Sequence, residues 1–505
     1  MKKQVFGGIL LSFVSQLVNI LIGLIYMPIM IRILGQNEYG LYQFVQSIVN
    51  YLNLMNFGFS GAYIRYFSIA KGENDENQIA NINGVFLKIF FCISALSIVV
   101  GFVLFCNIRL LSPKLTDSDY LIASELLLIM VLNLAIGFPS NVFFVYLSAN
   151  QRFVFLKLLS VISSILLPVL SIPLLVFGYG SVGVVSVTLL LTIFRLGLVV
   201  WYSVTKMSIH INLKYNDFKI FKDLFGYTFF IFLSDLVDQL NNNVDKFLLG
   251  RMIGTTSVAV YSVGFDLKYF YTIVSWVVPE MFIPEVNRLV VEENDNIKIS
   301  DLFCKIGVLN NYICLLMISG FVLFGKQFIR LWVGADYDNS FYVCLILLIS
   351  GYVPAIQTLG VNIQNAKNMH RIRSIVYFII ACMNVICSIF LIRKLGEIGT
   401  AIGTLIAVVA GSVIFMNFYY FYFLKLRIYE FWRSILKWTI PVILLCVFSH
   451  FIIDDLIIDS WGVLTIAILF YTFIYIILLW FIGIGDAEKK KMIERIKSYK
   501  RIERN

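Results

Sequence analysis

Fourteen stretches of this chain are apolar for long enough to cross a lipid bilayer, and only short polar breaks separate them. They lie near 6–31, 40–67, 81–108, 120–147, 153–177, 182–205, 223–250, 257–285, 300–329, 339–366, 372–393, 398–424, 435–454 and 460–484. A crossing takes about 20 residues, and within lipid only a helix satisfies all of its backbone N–H and C=O groups inside one segment. The breaks read KGENDENQ, SPKLTDSD, KYNDFK, VEENDNIK, VGADYDNS and KLRIYEFWR, too short for a folded extramembrane domain. The pattern predicts an all-α polytopic membrane protein of about 14 transmembrane helices.

Composition agrees. Charged residues make up 14% of the 505 and hydrophobic ones 60%, with a mean hydropathy of +0.87, whereas soluble domains carry about 25% charged residues. The opening MKKQ precedes an apolar run that continues to Ile31. That is too long for a signal-peptide core, and no small-residue cleavage site precedes its end, so a retained first span is expected. The net charge of +10 could suggest a nucleic-acid partner, but the basic residues are distributed as topology signals. Placing the N-terminus in the cytoplasm puts Lys2 and Lys3, Arg152, Lys157, the breaks 206–222, 288–305, 367–373 and 425–437, and the tail on the inner side. Cytoplasmic segments are enriched in Lys and Arg, so both termini are expected inside. The basic tail 486–505 suits a topology anchor on anionic lipid. None of the eight cysteines forms a CxxC pair, the three histidines lie in loops or near a span end, and no GxxxxGK[ST] motif occurs. Neither a metal site nor a nucleotide site is expected, and the cofactor expectation is none.

The stretch IRILGQNEYGLY (31–42) closes the first span, and GRMIGTTSVAVY (250–261) closes the seventh. Aligned without a gap, Arg32, Gly35 and Tyr42 fall on Arg251, Gly254 and Tyr261. GFPSNVFFVYLSANQR (137–152) is similar to GYVPAIQTLGVNIQNAK (351–367), and FGYGSVGVV (177–185) to RKLGEIGTA (393–401). An even number of spans separates the copies, so they cross in the same direction and the repeat is parallel. The expected organisation is an N-terminal six-helix lobe (1–205), a cytoplasmic linker (206–222), a C-terminal six-helix lobe (223–424), two additional helices (425–485) and the tail (486–505).

Charged groups at mid-bilayer cost about 2.5–3.5 kcal/mol each on insertion scales, so each needs a reason. Span 7 reads FFIFLSDLVDQLNNNVDKFLLG, in which Asp235, Asp238, Asn242 and Asp245 share one helical face. The equivalent face of span 1 carries Gln16, Asn19, Gly23 and Tyr26. Span 8 adds Asp266 and Lys268, span 2 adds Asn50, Asn53, Asn56 and Arg65, and span 6 adds Arg195. Such polar faces fit a shared central cavity, where basic groups suit an anionic ligand. The alternative is internal pairing, with Asp245, Asp266, Lys246 and Lys268 neutralising one another. Arg32 and Arg251 lie at the outer interface and read as snorkelling anchors. Gly58 and Gly61 in span 2, with Pro279 and Pro284 in span 8, interrupt equivalent helices and are hinge candidates.

IRILGQNEYGLYQF, FGFSGAYIRYF and NVDKFLLGRMIGTTSVAVYSVG running into VPEMFIPEVNRL together resemble the polysaccharide-export branch of the multidrug/oligosaccharidyl-lipid/polysaccharide exporter superfamily, over essentially the whole chain. The sequence looks like a Wzx-type flippase. Such proteins turn undecaprenyl-pyrophosphate-linked oligosaccharide units from the inner to the outer leaflet of the bacterial cytoplasmic membrane, for O-antigen, capsule or exopolysaccharide synthesis. The resemblance implies a MATE-like V-shaped cleft between two six-helix lobes, alternating access, and a polysaccharide polymerase and chain-length regulator as partners. It also implies pyrophosphate contacts at Arg65 and Lys246, and less directly at Lys268 and Arg195. The acidic face of span 7 departs from a strongly cationic cleft and offers sites for H+ or Na+ coupling. A cation-coupled multidrug antiporter of the same superfamily and a lipid II flippase are the alternatives. An integral-membrane polymerase or acyltransferase is a remoter one, since the outer loops are short.

Overall fold

The computed structural model describes residues 2–215, 218–293, 295–367, 369–453, 458–483 and 489. The tail at 486–505, residue 489 apart, and most of the acidic stretch 454–459 lie outside the described residues. Among the described residues every regular element is helical. In order they are α1 (Lys2–Leu52), α2 (Phe59–Gly72), α3 (Glu76–Cys106), α4 (Ile108–Leu111), α5 (Asp117–Ala149), α6 (Phe153–Val176), α7 (Gly180–Thr205), α8 (Phe218–Met252) and α9 (Thr255–Met281). There follow α10 (Ile283–Arg288), α11 (Asn296–Trp332), α12 (Asn339–Ile356), α13 (Thr358–Ala366), α14 (His370–Val408), α15 (Met416–Tyr422), α16 (Ile428–Ile453) and α17 (Trp461–Leu478).

Ten helical stretches among the described residues are long and apolar enough to cross a membrane. Two of them, Ser15–Gly72 and Ile372–Tyr422, run to 58 and 51 residues. At 1.5 Å per residue, 51 residues span about 75 Å, more than twice what a bilayer core of about 30 Å requires. Each is turned inside by a glycine that no helix accommodates: Gly35 at φ 75° and ψ 170°, and Gly396 at φ 57° and ψ −134°. The helices α8 and α9, 35 and 27 residues long, also have the length to cross but carry the intramembrane charges that lower their hydropathy. Counting both long stretches twice and adding α8 and α9 brings the crossings to fourteen.

Three expected spans are broken, one of them, 257–285, at Phe282 between α9 and α10. In 40–67, α1 ends at Leu52, a single 3-10 turn covers Asn53–Asn56, and Phe57 and Gly58 adopt φ 46° and 69° before α2 begins. In 339–366 the helix stops at Ile356 and restarts at Thr358; the break, at Gln357, comes three residues after Pro354, which cannot donate a helical hydrogen bond.

The chain forms two compact units. The first comprises residues 1–262 and 377–403. Here α3 packs on α5, α5 on α7, α1 on α6, and α1 on α8. Aromatic residues at helical spacing build its core, with Tyr63 edge-on to Phe86 and Phe67 edge-on to Tyr146. Pro139 within α5 has no N–H and leaves the Ala135 carbonyl without its helical donor; Ser94 Oγ on α3 donates to that carbonyl at 2.6 Å. The described part of the expected linker is tied to α3. Asn212 N donates to Ala80 O at 2.9 Å, Asn83 Nδ2 to His210 O at 2.8 Å, and Lys88 Nζ to Tyr215 O at 2.8 Å.

The repeat is visible in the backbone. The aligned glycines Gly35 and Gly254 both have positive φ, 75° and 145°, and the aligned Gly180 and Gly396 have φ 56° and 57°. In the first copy, Glu38 Oε1 accepts from Ser181 N at 2.6 Å and Ser181 Oγ at 2.7 Å, capping α7. In the second, Ile253 Cδ1 comes within 3.7 Å of where a Gly396 side chain would begin. Each copy of the opening motif therefore sits on the turn between the fifth and sixth crossings of its own half. The two copies also meet. Gly40 lies against the Thr255 carbonyl and Gly250 against the Phe44 ring, so closely that a Cβ at either glycine would collide.

The second unit comprises residues 263–376 and 404–505. Its centre is α11, against which α12, α16 and α17 pack. Phe303 stacks on Phe431 at 4.8 Å between ring centres. Tyr471 OH donates to Ser319 Oγ at 2.7 Å and Tyr475 OH to Tyr312 O at 2.7 Å, fixing α17 to α11.

Candidate functional site

A polar cavity of about 460 Å³ opens inside the first unit. Its walls come from four places in the sequence, each set at helical spacing. Asn53 and Asn56 stand on the 3-10 turn where the chain leaves α1. Asn133, Gly137, Ser140 and Asn141 occupy one face of α5, with Leu134 and Phe138 beside them. Thr192 and Arg195 are one turn apart on α7, and Asp235, Asp238 and Gln239 follow one another down α8. The broken helix supplies the first group, since a continuous helix at 53–58 would carry the two asparagines onward rather than hold them in a turn. Gly137 contributes room: nothing lies within 4 Å of where its side chain would begin.

The lining holds one guanidinium, two carboxylates, five amides and two hydroxyls. Asn56 Oδ1 and Asn133 Oδ1 are buried and accept no hydrogen bond from the protein. Beside this cavity is a smaller recess of about 90 Å³, lined by Ser140, Asn141, Phe144, Arg195, Leu196 and Val199. Arg195 borders both, its guanidinium carbon 6.0 Å from the centre of the Phe144 ring.

From Gln239 a chain of amides leads away from the cavity. Asn243 Nδ2 donates to Gln239 Oε1 at 2.6 Å, Asn50 Nδ2 to Asn243 Oδ1 at 3.0 Å, and Gln46 Nε2 to Asn50 Oδ1 at 2.9 Å. One turn further along α8, Lys246 is buried and donates to Gln43 Oε1 at 3.1 Å. Asp245 is 2% exposed and accepts from Tyr261 OH at 2.7 Å and Ser388 Oγ at 3.1 Å.

The polar face of span 7 therefore divides. Asp235 and Asp238 line the cavity, Asn242 is exposed and donates back to the Asp238 carbonyl at 2.8 Å, and Asp245 closes into protein. Of the four basic candidates, Arg195 alone is among the lining residues. Arg65 is exposed on α2, outside the lining. Lys246 is packed between α8 and α1. Lys268 and Asp266 belong to the second unit, where Lys268 Nζ stands 5.3 Å from the centre of the Phe265 ring. Gln16 and Asn19 are exposed on α1 and take no part in the lining. Gly58 sits at the break before α2, with Ile231 on α8 filling the space where a side chain would go; Gly61 follows one turn into α2. Pro279 lies within α9 and Pro284 at the start of α10, on either side of the break at Phe282. Among the described residues no group of three His, Cys, Asp or Glu side chains is placed to hold a metal ion.

Charge was the signal for Arg195, Asp235 and Asp238. Asn133, Ser140, Asn141, Thr192 and Gln239 escaped it, because uncharged polar residues barely dent the hydropathy of a span. Their helical spacing, above all 133, 137, 140 and 141 in span 4, is the signal that could have found them.

Residues 29–342 match the sequence profile of a family described as "Polysaccharide biosynthesis protein". The chain is 22% identical over 395 residues to a Shigella flexneri protein named "Putative O-antigen transporter", covering 77% of this chain and 91% of that one. It is 20% identical over 500 residues to the "Uncharacterized membrane protein EpsK" of Bacillus subtilis (strain 168), covering 94% of each. Among solved structures, the lipid II flippase MurJ in an inward closed conformation superposes with a TM-score of 0.69 at 18% identity, over 93% of this chain and 97% of that one. An inward-facing multidrug resistance MATE family transporter of the MOP superfamily superposes with a TM-score of 0.61 at 15% identity, over 83% and 99%. The fold is the one those transporters share.

Proposed function

We propose that this chain, which belongs to the polysaccharide biosynthesis protein family, is a flippase for undecaprenyl-pyrophosphate-linked oligosaccharides in the bacterial cytoplasmic membrane. The observation that carries this reading is Arg195 facing a polar cavity within a bundle of membrane-spanning helices. A guanidinium on a membrane-spanning helix is costly in lipid and forks onto phosphate oxygens, and a head group larger than a metal ion or proton needs a cavity of this kind. Arg195 is the residue we assign to the pyrophosphate. The buried Lys246, already donating to Gln43, and Arg65, which is not among the cavity's lining residues, are weaker candidates than their charge alone suggests.

Movement of the head group across the membrane would follow from rocking of the two sequence repeats, with the contact between α1 and α8 opening and closing. The breaks at Gly58 and between Pro279 and Pro284 are where we place the bends. With both termini cytoplasmic, each negative charge carried outward gains about 2.3 kcal/mol per 100 mV of membrane potential.

The test is genetic and chemical. Deleting the gene should cause lipid-linked oligosaccharide to accumulate, shielded from reagents added outside the cell. The wild-type gene should clear it and an Arg195→Ala gene should not. Absence of any lipid-linked sugar precursor after deletion would sink the reading.

A second reading, cation-coupled transport, is favoured by one observation: Asp235 and Asp238 lie in the same cavity as Arg195. Coupling to H+ or Na+ would make transport depend on that ion. If Asp235→Asn and Asp238→Asn leave transport and its ion dependence unchanged, the coupling idea is dead.

A further inference from the structure

The segment that joins the two repeats carries a pattern of its own. Met207, Ile209, Ile211, Leu213 and Tyr215 alternate with Ser208, His210, Asn212 and Lys214, a period of two that gives a non-helical segment one apolar side. Met207, Ile209, Ile211 and Tyr215 pack on the core of the first unit; Leu213 is the exception and is exposed. A linker that had only to reach from α7 to α8 would need no such side, since a flexible polar chain spans a gap as well.

The bundle holds a seat for this segment. Asn83 and Gly84 are neighbours on α3, and Asn83 is fully buried. Its Oδ1 accepts from Tyr63 OH at 2.5 Å, and its Nδ2 donates to His210 O at 2.8 Å. Without the segment, that amide loses its acceptor. A Cβ at Gly84 would collide with the Asn212 carbonyl, so only glycine lets the two backbones come this close. Asn212 Nδ2 also donates to Asn81 Oδ1 at 2.8 Å. Both ends are tied as well: Tyr146 OH on α5 donates to Met207 O at 3.3 Å, and Lys88 Nζ on α3 to Tyr215 O at 2.8 Å.

We infer that residues 207–215 are a fixed strap, seated on α3 and α5 throughout transport, and that α8 moves from an anchor at Tyr215 instead of swinging on a free tether. The inference rests on the flippase reading, in which the repeats rock, and adds where the second repeat is held while they do. A strap without slack leaves the motion to be absorbed inside the helices.

Cells in which the full-length protein replaces the deleted gene test this, with clearance of the accumulated lipid-linked sugar precursor as the readout. The starting point is a version that still complements after its eight cysteines are replaced by serine or alanine. Asn81→Cys and Asn212→Cys are introduced together and joined by bismaleimidoethane, which enters cells; mass spectrometry of the joined peptides gives the extent. Clearance should persist undiminished. Asn50→Cys with Asn243→Cys, joined in the same way across the contact between α1 and α8, should abolish it. Inserting Gly-Ser-Gly-Ser after Tyr215 should also abolish clearance at an unchanged protein level, whereas a passive tether would tolerate the extra length. If joining 81 to 212 stops clearance, or the insertion spares it, the strap falls and the flippase reading stands. If joining 50 to 243 leaves clearance intact, α1 and α8 do not part, and the anchor falls with the rocking. If deletion causes no precursor to accumulate, the flippase reading falls and the strap with it.

Discussion

The side-chain amide of Asn50 on α1 donates to Asn243 Oδ1 on α8 at 3.0 Å, joining the first helix of one repeat to the first helix of the other. Asn243 in turn donates to Gln239, which lines the cavity. A ligand that engages Gln239 therefore touches the end of a relay that holds α1 to α8. Asn50→Ala and Asn243→Ala should each destabilise the protein. Their double-mutant coupling should be about 0.5–1.5 kcal/mol, within the range found for hydrogen bonds between membrane helices. Thermal unfolding of the two single variants and the double variant in detergent measures it, and additive effects would mean the bond contributes nothing.

Close packing makes a second prediction. A Cβ at Gly250 would collide with the Phe44 ring, so Gly250→Ala should abolish complementation of a deletion strain. Phe44→Leu removes part of the ring's bulk and should restore function to the Gly250→Ala variant. Failure of that rescue would show that the glycine serves something other than the approach of α1 to α8.

The paired turns make a third. Alanine at Gly396 should cost about 1–3 kcal/mol, the expense of holding an L residue at positive φ. Gly180→Ala should cost more, because its Cβ would also press on the Glu38 carboxylate that caps α7. Melting temperatures of the two variants, measured side by side, decide the order.

A fourth separates structural from ligand-facing carboxylates. Tyr261→Phe leaves the buried Asp245 with one hydrogen bond fewer and should lower stability by about 1–3 kcal/mol. Substrate binding per folded molecule should not change. Asp238→Asn should do the reverse, altering binding with little loss of stability. A binding defect in Tyr261→Phe with stability intact would place Asp245 in the ligand's reach.

The crossings and the repeat were legible because both depend on signals that survive without a partner. A long apolar run has few alternatives to a membrane helix, and glycines such as Gly180 and Gly396 keep their place because positive φ excludes most other residues. The cavity was legible only where it carries charge. Asp235, Asp238 and Arg195 announced themselves against an apolar background, while Asn133 and Asn141 did not. Depth along a helix was the harder quantity. Periodicity gives the face of α8 but not where along it cavity ends and core begins, so Asp245 and Lys246 read as companions of Asp235. Tyr261, Ser388 and Gln43, which receive them, come from other helices, one of them some 140 residues on.

The glycine turns at Gly35 and Gly396 leave the chain almost no loop at those two corners. A protease, an antibody or an inserted tag would find no slack there to grip. Reporters meant to track this protein in a living membrane belong on other breaks, and a cut or insertion tolerated at either corner would itself be evidence of an architecture looser than this one.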